Sequence, residues 1–203
     1  MRLPRSPRSL AMTFDIRLLM IFKNLTKNSA ISINIPDTYI YFFYNLSGEI
    51  IIDIKCANAK VFLFGLYIGK NNQQYKINTI QHHVIGDSIS DLLIKGVFFD
   101  QSKFDYHGLI KIDKNAQKSN AYQKNKNLLL SDEAVINSKP DLEILADDVR
   151  CTHGSTTGPI NEEWIYYLKT RGLNRTNAEK LIIDGFIGEI FDKIKLHQLS
   201  SPI

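Results

Sequence analysis

Between residues 31 and 145 the apolar positions come in short runs, and each run ends in turn chemistry. The segments 31–35, 39–44, 49–54, 61–66 and 75–80 are rich in β-branched and aromatic residues, a composition that predicts strands. Pro36-Asp37, Leu46-Ser47-Gly48 and Gly69-Lys70-Asn71-Asn72 separate them. Farther along, a compact unit recurs at 91–95, 108–112, 127–131 and 141–145, reading DLLIK, GLIKI, NLLLS and DLEIL. Recurrence at intervals of roughly 15 to 20 residues predicts a solenoid of short parallel strands. Each coil offers one strand to each sheet, and stacked coils bury a continuous core. A β-sandwich also needs many short strands, but its hairpins favour Asn-Gly and Asp-Gly turns. Here the one such dipeptide, Asp184-Gly185, sits in a helical pattern.

Beyond Pro159 the period becomes helical. Asn161 suits an N-cap, and Glu162 and Glu163 suit the positive end of a helix dipole. Trp164, Tyr167 and Leu168, with Ile165 beside them, form an apolar stripe that closes at Arg171-Gly172. A second helix is predicted to start near Asn174 or Thr176, where Thr176-x-x-Glu179 has the form of a capping box. Its apolar set is Leu181, Ile182, Ile183, Phe186, Ile187, Ile190, Phe191 and Ile194, wider than one solenoid edge requires. A face that broad either caps the solenoid or docks a partner.

Composition narrows the setting. A chain of 203 residues supports one domain, or one with a small appendage. Two cysteines, Cys56 and Cys151, give no disulfide framework and point to a reducing, cytoplasmic compartment. Much of the net charge of +4 comes from Arg2, Arg5 and Arg8 in an opening stretch without acids. Residues 1–30 are expected to form a partly disordered lead segment. That stretch reads as a targeting remnant (which would allow an organelle stroma), a misassigned start or simple disorder. The rest is nearly neutral, which gives no reason to propose nucleic acid. The basic stretch 111–126 has neither an aromatic platform nor an Arg fork and reads as a solvated face. No apolar run is long enough to span a membrane.

Candidate chemistry concentrates in 142–159, LEILADDVRCTHGSTTGP. Cys151 and His153 share a face if the backbone there is extended. Thiolate and imidazole suit a soft transition metal or an iron–sulfur intermediate. The same residue types describe even more readily a buried Cys beside a hydrogen-bonded His, because two donors do not make a metal site. The stretch 154–158 lacks the Gly-Lys-Ser/Thr ending of a phosphate loop, and no strand-turn-helix elbow surrounds Ser155. Asp147 and Asp148 are adjacent and so face opposite ways on an extended chain, which weakens a β-helix carbohydrate enzyme. His82 and His83 likewise point to opposite faces and read as a half-buried strand end with one solvated imidazole. Cys56 reads as a core filler.

Taken together, residues 119–194 resemble the C-terminal half of the SufB/SufD family, the scaffold subunits of the Suf iron–sulfur assembly machinery. The resemblance is carried by Asn120-Ala-Tyr-Gln123, Asn127-Leu-Leu-Leu-Ser131, Ser138-Lys-Pro-x-Leu-Glu-Ile144, Asp147-Asp-Val-x-Cys-x-His-Gly154, Leu168-x-x-Arg-Gly-Leu173 and Ala178-x-x-Leu-Ile182. The fourth of these is closer to SufD than to SufB. The resemblance implies a mainly β fold, a right-handed parallel β-helix over 31–158, followed by a small C-terminal helical domain over 159–203. It implies no catalytic activity of the chain's own. It implies pairing with a SufB-like scaffold, or with a second copy, through the β-helices. A SufC-like ABC ATPase would dock on the helices, for which Trp164, Tyr167, Leu168, Phe186 and Ile190 are the candidates. A transient iron–sulfur cluster would be shared with the partner chain, with His153 and then Cys151 as candidate ligands or sulfur-transfer residues. Family members are usually longer on the N-terminal side. The competing expectations are a pure interaction module without a metal role, and a carbohydrate-active β-helix.

Overall fold

A computed structural model describes residues 23–199, so the Arg2, Arg5 and Arg8 stretch lies outside the described residues. The strands are β1 (Lys23–Leu25), β2 (Ser29–Ile33), β3 (Thr38–Tyr44), β4 (Gly48–Ile54), β5 (Lys60–Gly69) and β6 (Gln74–His83). They continue as β7 (Ile89–Phe98), β8 (Lys103–Ile112), β9 (Asn120–Leu129), β10 (Val135–Ile144) and β11 (Arg150–Pro159). Two helices follow, α1 (Glu162–Thr170) and α2 (Arg175–Leu199). Odd strands form one sheet in the order β1-β3-β5-β7-β9-β11, and even strands form a second in the order β10-β8-β6-β4-β2. Every pairing is parallel. This is the expected parallel β-helix. Its first strand precedes residue 31, so the solenoid starts earlier than the apolar runs suggest.

The repeat in the sequence is half a coil. Lys60 pairs with Ile89, Ile89 with Asn120 and Asn120 with Arg150, so one full coil takes about 30 residues and contains two strands. The corners between strands need a left-handed backbone, and short polar side chains tolerate it best. Asn58, Asp87 and Lys118 adopt it at φ 61°, 53° and 60°, and Asn71 and Asp100 do so at 52°. Hydrogen bonds continue the ladder through these corners, from Asn58 N to Asp87 O at 2.7 Å and from Asp87 N to Gln117 O at 2.9 Å.

The lumen mixes apolar and polar side chains. Phe43, Ile52, Leu63, Tyr67, Ile94, Phe98 and Phe104 pack within it, with Tyr67 and Phe104 ring centroids 4.4 Å apart. Polar side chains point inward from β6, β7 and β9, where Thr79, Gln81, His83, Ser90, Gln123, Asn125 and Asn127 are all buried. Each needs an internal partner, because a buried polar group without one costs on the order of 1–3 kcal/mol. Asn127 Nδ2 donates to Asn125 Oδ1 at 2.6 Å, and Tyr106 and Thr79 hydroxyls meet at 3.1 Å. His82 and His83 do face opposite ways. His83 lies inside, fully buried between Ser88 and Ser90. His82 faces outward but is not a free imidazole, since Asp53 and Asp113 flank it at 3.0 and 3.2 Å.

The helices fold back onto the outer face of the odd-strand sheet. Asn161 caps α1 by accepting from Glu163 N at 2.8 Å. Asn174 plays the same part for α2, accepting from Asn177 N at 2.8 Å, so Thr176 falls inside the first turn instead of opening a capping box. Ala178, Ile182 and Ile183 of α2 pack with Ile165 and Leu168 of α1. Farther along, Ile187, Ile190 and Ile194 bury against Phe42, Phe62, Phe64, Leu66, Leu93 and Val97 of β3, β5 and β7. The broad apolar face of α2 thus serves two different neighbours in succession.

Candidate functional site

Strand β11 ends the odd sheet and β10 ends the even one, so the last coil is open. Arg150 to Pro159 pair in register with Asn120 to Leu129, which puts Cys151, His153, Ser155 and Thr157 on the rungs of Ala121, Gln123, Asn125 and Asn127. Two contacts fix that face as the inward one. Thr157 Oγ1 accepts from Asn127 Nδ2 at 3.2 Å, and Ser155 Oγ donates across the lumen to Ser138 Oγ of β10 at 3.0 Å. With no further coil above it among the described residues, His153 is exposed although it faces inward. Ile136, Ser138, Leu142 and Ile144 occupy the corresponding face of β10, and Leu142 and Ile144 are 39% and 38% exposed. Pro140 sits on this strand without breaking a ladder on both sides, because β10 is an edge.

Cys151 is the deeper of the pair. It packs beside Ile110, Ile112, Ala116 and Ala121, and burial pushes its thiol up to about 11. A thiol that stays protonated at neutral pH is a poor nucleophile and metal ligand until a cation or metal stabilises the thiolate. Among the described residues no group of three or more His, Cys, Asp or Glu is placed to hold a metal ion. This chain offers two donors on one face of an open coil, one accessible and one recessed. Asp147 and Asp148 are exposed in the corner before β11, where Asp148 N donates to the Gln117 side-chain Oε1 and Asp148 O accepts from Lys118 N.

The five helix residues divide. Trp164 and Tyr167 are 57% and 56% exposed, beside Tyr166 at 72%. Leu168 turns toward α2. Ile190 has no exposed surface, and Phe186 is partly buried in the same contact with the β-helix. These last two therefore hold α2 against the β-helix, Ile190 fully and Phe186 with part of its surface still exposed. Sequence reasoning missed Lys95, which is 1% exposed on the outer face of β7 beneath α2. Its Nζ forms an ion pair with Glu189, donates to Phe186 O at 2.5 Å and lies 4.1 Å from the Phe186 ring. Burial pulls the Lys95 pKa down while Glu189 opposes it. Burial alone would raise Glu189, but Lys95 and Lys126 outweigh it and leave that carboxyl below its usual range. A lone Lys in an apolar strand is the one sequence signal that pointed there.

The described residues thus form a parallel β-helix with two helices packed on one outer face and a Cys-x-His pair on the inward face of its last strand. The family model described as "SUF system FeS cluster assembly, SufBD core domain" matches residues 46–186, and the chain belongs to the SufB/SufD family. It is 34% identical over 146 residues to the iron–sulfur cluster assembly protein SufD of Escherichia coli, covering 72% of this chain and 34% of that protein. It is 31% identical over 136 residues to SufD of Bacillus subtilis, covering 67% and 31%. A Synechocystis iron–sulfur cluster assembly SufBD family protein is 46% identical over 98 residues, covering 48% and 22%. The matched part thus spans about a third or less of these relatives' length. No helix among the described residues is long and apolar enough to cross a membrane.

Proposed function

We propose that this chain is a SufD-like scaffold subunit whose open coil, stacked against the end of a second SufB/SufD-type β-helix, forms half of a transient site for a nascent iron–sulfur cluster. The observation that carries the reading is the geometry of β11. His153 and Cys151 lie on the inward face of the terminal strand, beside edges that lack a neighbour among the described residues. Two donors are too few for a cluster, and a partner coil laid on those edges would bring the remainder. His153 ranks ahead of Cys151 because it is exposed while the thiol is recessed and protonated. The cluster is cargo here, passed on after assembly.

The helical domain supports a second contact. Trp164 and Tyr167, one turn apart on α1, are exposed aromatic side chains of the kind that anchor protein interfaces, and Tyr166 is exposed on another side of the same helix. The resemblance to SufD makes a SufC-like ABC ATPase the occupant. The pair Phe186 and Ile190 would act indirectly, by fixing α2 to the β-helix. The test is anaerobic reconstitution of the co-purified complex with wild type and His153→Ala. Loss of cluster content and visible absorbance in the variant is expected. Unchanged content with an intact complex would leave a pure interaction module as the better description.

A further inference from the structure

We infer that Gln123 is a positioning residue for His153, accepting a hydrogen bond from the imidazole and selecting its tautomer. Gln123 is 1% exposed on the inner face of β9. Its Nε2 donates across the lumen to Gly108 O at 3.3 Å, which sets the orientation of the amide. Gly108 makes that approach feasible, since a Cβ there would meet Gln123 Nε2 at 2.4 Å and Tyr106 Oη at 2.2 Å. With the nitrogen committed, Oε1 is buried and accepts no hydrogen bond in this structure, from His153 or any other donor, so the imidazole must turn inward to reach it. A buried acceptor in that state is a substantial cost unless a donor comes within reach.

The ladder says where a donor is to be found. On one side the in-register neighbour of Gln123 is Leu92, which has none. On the other side it is His153. Adjacent parallel strands lie about 4.8 Å apart, so side chains on one rung of a face stack directly. The other polar groups of the lumen already have partners of their own: Tyr106 and Thr79 share a hydrogen bond in which either hydroxyl can donate, Gln81 Nε2 donates to Tyr122 O, and the Asn125 and Asn127 amides bond to each other. An imidazole that gives one ring N–H to an amide carbonyl is locked in a single tautomer. Its other nitrogen keeps a lone pair pointing away from the amide, toward the open end of the coil. That is the arrangement a ligating histidine needs.

The role as ligand-positioner rests on the proposed function, but the hydrogen bond can be tested without metal or partner. The full chain, labelled with 15N-histidine, is examined at about pH 8 by long-range 1H–15N correlation. Wild type is expected to show one dominant His153 tautomer, and folded Gln123→Leu is expected to relax toward the mixture of free histidine. Gln123→Met serves if the Leu variant does not fold. A free-histidine mixture in wild type itself, as would follow if buried water were the donor to Oε1, overturns the inference and needs no variant. So does an unchanged spectrum in a folded variant. A locked tautomer together with unaltered cluster content in His153→Ala would keep the hydrogen bond and refute the cluster reading.

Discussion

His83 should make the β-helix sensitive to mild acid. Its ring is fully buried, with Nδ1 2.8 Å from Ser88 Oγ and Nε2 2.8 Å from Ser90 Oγ. Ser88 spends its own hydrogen on Ile85 O at 3.2 Å, so it accepts from Nδ1–H, and Nε2 accepts from Ser90. Both bonds suit the neutral ring. Burial first, and the neighbouring His82 second, lower the pKa from 6.5 to about 4. Below pH 6.5 the unfolded chain therefore takes up a proton that the folded one refuses. The stabilisation is full above the unfolded pKa and is lost as pH falls toward 4. At 1.36 kcal/mol per unit, this group alone removes about 2 kcal/mol by pH 5 and about 3 kcal/mol by pH 4. The assay is urea unfolding at pH 7 and pH 5 for wild type and His83→Gln, whose amide can still bond to a serine. The variant is expected to be weaker at pH 7 but to lose about 2 kcal/mol less on acidification. With an m-value of about 2 kcal/mol per M, the difference is about 1 M in midpoint. Parallel losses in the two proteins would show that His83 is not held neutral, and the reasoning would fail.

Glu189→Gln should destabilise by about 2–3 kcal/mol, because it strands the buried Lys95 ammonium, whereas Lys95→Met should cost much less, as urea midpoints would show. Gly185 and Gly188 have nothing within 4 Å of a built Cβ, so Gly185→Ala and Gly188→Ala should each raise stability by about 0.5–1 kcal/mol in thermal unfolding. Alkylation of Cys151 at pH 7.5, measured by mass spectrometry in a Cys56→Ser background, should run about 100-fold slower than in the urea-unfolded chain, reflecting two units of raised pKa. Ile190→Asp should unfold the chain or release α2, costing more than about 4 kcal/mol, while Trp164→Ala should change stability by less than about 0.5 kcal/mol and lower only ATPase co-purification.

The apolar runs and the recurring unit mark β2 to β8 and the C-terminal parts of β9 and β10. In β9 the inward positions include Gln123, Asn125 and Asn127, so the apolar alternation is gone. Its first half was invisible to pattern and recognisable only by resemblance. The interval of 15 to 20 residues was real, but it measured strand spacing, and the coil is twice as long because each turn crosses both sheets. Cys151 and His153 do share a face, as two-residue spacing on a strand requires. What spacing could not tell is that the face points into a lumen left open at its end. Helix α1 divides in a way its apolar stripe could not show: Ile165 and Leu168 hold the helix, while Trp164 and Tyr167 stay exposed. Lys95 and Glu189 meet from a strand and a helix far apart in the sequence, beyond the reach of any local pattern.

In a solenoid each coil touches only its neighbours, and such stacks tend to fray from their ends. Helix α2 acts against this as a splint, since Ile187, Ile190 and Ile194 bind β3, β5 and β7 at once. The splint leaves the outer face of β11 uncovered, where Thr152 and Thr156 are exposed. Unravelling should therefore begin at the coil that bears His153 and stop at the braced ones. Hydrogen exchange should be fastest in β10 and β11 of the isolated chain and should slow once a partner seals that end. The partner would then act as a terminal cap for an otherwise fraying stack, and assembly itself would mature the last coil.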